Sequence, residues 1–161
     1  MAYRMIHQDE INSLWIGVQT VRQSKQKAID LLRSVSTYFE AADLVEYGLK
    51  IFSSDTPELI ATIETPFGKG RARIGFSVVE AEVMTNLVFD REILDEKGRP
   101  SFQVVFVINL PRFESPFVGT NEPKNRLAID SNLPHKVNEA HFAIGVTLIY
   151  AILNGPMKSV T

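Results

Sequence analysis

The side chains able to do chemistry are few and scattered. His135, Glu139 and His141 form the only cluster of metal-ligand types in a chain of 161 residues with three histidines and no cysteine. On a helix His135 and Glu139 share a face, but His141 lies about 240° around the axis from His135, so the three cannot converge on one ion. A solvated first helical turn with His141 bordering the core is expected there, and neither a metal nor a cofactor is expected. Glu80, Glu82, Asp90 and Glu92 carry carboxylates of the kind used in acid-base or metal-assisted hydrolysis. Strand alternation groups Glu80 with Glu82 and Asp90 with Glu92, which describes a wet sheet face equally well, and the wet face is the preferred reading. No serine sits in a Gly-x-Ser-x-Gly elbow, and without cysteine there is no thiol nucleophile, so the inventory leans away from an enzyme.

Two other groups suit binding. Arg71 and Arg73 alternate beside Lys69, the pattern with which a basic ribbon grips phosphates. A hairpin pivoting on Gly68 instead sets Glu64 opposite Arg71 and Thr62 opposite Arg73, an ordinary cross-strand charge pair. The formal net charge is -2, which disfavours nucleic acid as a partner. The second group lies between Pro111 and Leu133, a connection longer than compact domains usually leave without a task. It carries Phe113 and Phe117 with Arg112, Glu114, Lys124 and Arg126, aromatic anchors and charges suited to a protein interface. The competing expectation is that both phenylalanines tuck under the sheet.

These residues must be held by elements that the hydropathy pattern outlines. An apolar stripe runs from Ile11 through Leu14, Val18, Val21, Ala28, Leu32 and Val35 to Phe39 in heptad steps, broken only by Lys25. Asp9 is a good N-cap for a helix reaching about Ser34, and Thr37 followed by Glu40 has the spacing to cap a second, shorter helix closed by Gly48. Period-two patterns then place strands at Leu49 to Ile51, at 58–65 and from Ala72 to Val78, with Pro66 to Gly70 as a turn. A second hairpin runs from Thr85 to Ile93 and back over Phe102 to Leu110, which sets Phe89 by Phe106, Leu87 by Ile108 and Ile93 by Phe102. After the proline-punctuated stretch, with a short extended piece at Leu127 to Ile129, a very apolar helix runs from about His135 to Asn154 and ends at Gly155 and Pro156.

The order of elements implies a single α+β domain over 1–161, with a long and a short N-terminal helix, an antiparallel sheet of about 4–6 strands, a long loop and an apolar C-terminal helix packed on the sheet. The apolar run from Phe142 to Leu153 is short of the roughly 20 residues that span a bilayer, so a core helix and no membrane are expected. The absence of cysteine and of an export signal points to the cytoplasm. The functional expectation is a protein-binding or regulatory module of adaptor, chaperone-like or inhibitor type, homodimeric through the N-terminal helix. A small-molecule site or enzyme pocket between the sheet and the last helix, using Glu64, Arg71, Arg73 or His141, is the alternative. A sheet with an apolar face also competes to cover the stripe, which makes helix on sheet the preferred packing and leaves Lys25 at an exposed edge or subunit boundary.

Overall fold

The computed structural model describes residues 3–54, 56–79 and 82–157. Its first element is one helix of 32 residues, α1 (Gln8–Phe39). The N-cap is His7 rather than Asp9: the His7 N–H donates to Glu10 Oε2 at 2.7 Å, and Asp9 and Glu10 place negative charge in the first turn, where the helix dipole favours it. The expected break at Ser36 and new helix at Thr37 do not occur. Ala28, Leu31, Leu32, Val35 and Phe39 recur at helical spacing and are all buried, so packing carries the helix through the weak Val35-Ser36-Thr37 run. The Ser36 hydroxyl is used across the fold, donating to the Ile51 carbonyl. The short helix is reduced to a single 3-10 turn, Val45–Tyr47, which Gly48 closes at φ 71°.

Five antiparallel strands follow, β1 (Lys50–Ser53), β2 (Ala61–Thr65), β3 (Gly68–Val79), β4 (Glu82–Leu94) and β5 (Pro100–Leu110), side by side in chain order. Residues 58–60, expected as strand, belong instead to a turn in which the Leu59 N–H bonds the Thr56 carbonyl beside Pro57. The β2–β3 turn is also tighter than expected. Thr65 faces Gly68, with its hydroxyl donating to the Gly68 carbonyl and accepting from the Phe67 N–H, so Pro66 and Phe67 alone make the corner. Glu64 therefore opposes Lys69 and Thr62 opposes Arg71, which removes the expected Glu64–Arg71 pair.

Leu87 meets Ile108 and Phe89 meets Phe106 as expected, but the register then slips at a bulge between Phe89 and Asp90. The extra residue lies on β5, so Ser101 rather than Phe102 opposes Ile93, and Phe102 opposes Glu92 on the other face. The bulged Val105 carbonyl accepts the Met157 N–H at 2.8 Å.

The last helix, α2 (Pro134–Asn154), has proline in its first turn and Gly155 after its end. Ile144, Leu148 and Ile152 from α2 join Leu31, Leu32, Val35 and Phe39 from α1 over Ile63, Ala72, Leu87, Phe89 and Ile108 of the sheet. Each such side chain contributes about 1.5–3 kcal/mol when fully buried. Gly145 lets α2 approach α1, because a Cβ there would fall inside the Phe39 ring. Both helices lie on one face of the sheet and leave the other open.

Candidate interaction surface

The open face holds Arg71 and Arg73, and the partner they share is Asp90 on β4. Each Nε donates to Asp90 Oδ2 at 2.8 Å, and Arg73 adds a second bond to Oδ1 at 3.3 Å. Asp90 is only 2% exposed, which corrects its expected place with Glu92 on a wet surface. Burial pushes its carboxyl pKa up, but the hydrogen bonds from Arg73 and Arg71 and their charge more than offset this and hold it below the ordinary value. The bulge supplies the other wall: with Phe102 turned to this face, the Arg71 guanidinium stacks 3.7 Å from its ring centroid. Glu80 lies outside the described residues, as does the side chain of Glu82.

The segment from Pro111 to Leu133 divides its two aromatics. Phe117 is 5% exposed and bridges Asn109 and Arg126 through backbone pairing, so it closes the core edge beside β5. Phe113 is 85% exposed, with the Arg112 guanidinium 4.7 Å from its ring. Arg126 bonds Glu114 at 3.1 Å and Lys124 pairs with Glu122 at 3.1 Å, so these two cations are engaged within the loop. Lys27 on α1 donates to the carbonyls of Arg112 and Pro111, which ties the start of the loop to the helix. The expected extended piece at Leu127 to Ile129 is instead largely a 3-10 turn, Ala128–Asp130.

Among the described residues, α1 carries a run of exposed apolar side chains in its first half. Its buried seam, against the sheet and α2, is Gly17, Thr20, Ser24, Ala28, Leu31, Leu32, Val35 and Phe39, small residues first and large ones later. Val18, Val21 and Lys25 each follow a seam residue and so lie about 100° around the helix. The first half of the stripe is therefore displayed rather than covered, with Leu14 60% exposed and Ile11 and Val18 also exposed, and Trp15 and Ile16 beside the stripe are exposed as well. Lys25 is half-buried at that edge. The sequence held a sign of this in the heptad row of small residues, which a count of large apolar side chains passes over.

His141 packs on the Tyr38 ring at 6.0 Å, and burial lowers its pKa. Among the described residues no three histidine, aspartate or glutamate side chains gather as a metal site. A cavity of about 140 Å³ lies between α1 and the β1–β2 hairpin, lined by Ile29, Leu32, Ile51 and Ile60. A wider, open depression of about 360 Å³ separates α1 from α2 beside Tyr38 and His141. Neither lies between α2 and the sheet, and Arg71 and Arg73 point away from α2, so these arginines cannot line a pocket there.

No known protein family matches this chain, and no curated protein or solved structure matches it either.

Proposed function

We propose that this protein is a protein-binding module of regulatory or adaptor type, working in the cytoplasm, whose contact surface is the N-terminal half of α1. One observation carries this: the helix spends only its later turns on the core and presents Ile11, Leu14, Trp15 and Val18 together to solvent. Tryptophan beside aliphatic side chains is the composition of interface hot spots. Arg112 and Phe113 form a separate aromatic and cationic pair, tied by Lys27 to a different side of α1. The cavity beside the β1–β2 hairpin supports a small-molecule site poorly, since such sites usually occupy about 300–1,000 Å³, and the larger depression between α1 and α2 lies wide open to solvent.

The test is capture from host lysate with tagged protein, comparing wild type with a Leu14→Asp/Trp15→Asp variant. Both side chains are exposed, so the variant should keep its circular dichroism and stability within about 0.5 kcal/mol. Specific partners recovered by wild type and lost from the variant support the proposal. Equal recovery by both proteins, or none by either, overturns it.

A further inference from the structure

We propose that the outer edge of β3, from Ile74 to Val79, pairs antiparallel with the same segment of a second copy of this chain, joining two five-stranded sheets about a two-fold axis near Phe76. The pairing rests on the reading of this chain as a protein-binding module and names one partner for it.

β4 pairs with β3 as far as Val79, but β2 covers β3 only from Gly68 to Ala72. The last backbone bond on the outer side runs from the Ile60 N–H to the Ala72 carbonyl at 2.8 Å. Backbone groups on a strand point alternately left and right, so those of Ile74, Phe76 and Val78 also point outward. Among the described residues they have no backbone partner. Phe76 is 58% exposed although it lies on the helix-covered face of the sheet.

Part of each outermost strand is protected. β1 is only four residues long and begins with Lys50, and its Ile51 carbonyl accepts the Ser36 hydroxyl. β5 is bridged by Phe117 at Asn109 and by the Met157 N–H at Val105. The free stretch of β3 reads Ile-Gly-Phe-Ser-Val-Val, with no charge, no proline and no bulge, the devices that normally keep edges from pairing.

A second copy fits because this segment complements itself. With the axis near Phe76, the outward N–H and C=O groups of Ile74, Phe76 and residue 78 meet those of the other copy reciprocally. The small Gly75 and Ser77 lie together on the open face, and the two Phe76 rings lie together on the helix face. No like charges meet, because Arg73, at the margin of the segment, is held by Asp90. The α1 stripe flanks this edge. Gly17 packs by Val83, whose strand partner is Val78, and Leu32 and Ser36, further along the stripe's side of α1, look toward β1. Leu14, Val18, Phe76 and Val83 would bring on the order of 400 Å² of apolar surface per copy to the pairing. With the strand backbone this approaches the roughly 800 Å² per partner of stable interfaces.

Light scattering across micromolar dilutions decides the matter. Wild type should run at twice the chain mass. Phe76→Pro removes only an N–H that points away from β4, so its own sheet should survive while the dimer weakens roughly tenfold or more. Phe76→Lys keeps the backbone donor and sets like charges together at the axis, and it should give the same loss should the proline variant fail to fold. A wild type that is monomeric throughout, or a folded Phe76→Lys that dimerises as tightly as wild type, overturns the pairing. Lysate capture separates the two proposals: a monomer that still captures its partner refutes the β3 pairing alone, and a dimer that captures nothing and is unchanged by Leu14→Asp refutes the binding surface alone.

Discussion

Asp90 sits nearly sealed on the side of the sheet that no helix covers, beneath two arginines that each remain about a third exposed. Removing the carboxylate leaves guanidinium groups that can turn to water, whereas removing both arginines strands a buried charge. Arg71→Ala/Arg73→Ala should therefore destabilise more than Asp90→Asn, which should cost about 1–3 kcal/mol in urea denaturation. Equal losses would show that the carboxylate is not effectively desolvated. The folded pKa of Asp90 lies below its unfolded value, so the stability it contributes is present above the unfolded pKa and is lost as pH falls through the folded one. The pKa of His141 is likewise lowered, by burial, so its contribution begins to fall below about pH 6.5. Stability against pH should show a shallow decline that His141→Gln flattens and a steeper one below about pH 4 that Asp90→Asn flattens. The shared face of Arg71 and Arg73 was legible in the sequence, but their partner was not. It depended on the β3–β4 register, which sets Asp90 opposite Arg71, while the two-residue corner at Thr65 moved Glu64 away, and no local pattern marked the burial of Asp90.

Among the elements, α1 shows why a stripe and a buried face need not coincide. The sequence revealed its apolar character but ended it at about Ser34, and Gly17, Thr20 and Ser24 are buried because small residues let a helix lie close to its neighbours. The N-terminal and C-terminal halves should answer differently to truncation. In the monomeric Phe76→Lys background Leu32→Ala should cost about 2–5 kcal/mol, whereas Leu14→Ala should stay within about 0.5 kcal/mol in the same chemical denaturation. Comparable losses at both sites would mean that the N-terminal half packs against its own chain. Gly145→Ala should be severe for its size, about 1–3 kcal/mol, since the new methyl meets the Phe39 ring, which is stacked on Phe142. The second hairpin was legible through Leu87–Ile108 and Phe89–Phe106, because large apolar pairs fix a register. The bulge that turned Phe102 over was not, since one surplus valine among Val104, Val105 and Val107 leaves no compositional trace.

Across the whole molecule, strand order equals chain order, so each strand finds its neighbour by a local hairpin. The exception is α1, made first yet packed on β4, β5 and α2, which are made last. During synthesis its inner face, Leu31 to Phe39, must wait roughly 70 residues for β5 to be complete, several seconds at ~5–20 residues per second. For most of that interval the inner face of the helix has only β1 to cover it. Stalled chains ending at Leu94 should be cleaved within Leu31 to Phe39 by added protease, while chains with Asn154 clear of the exit should resist. Equal resistance at the two lengths would mean that α1 finds its cover before β5 exists.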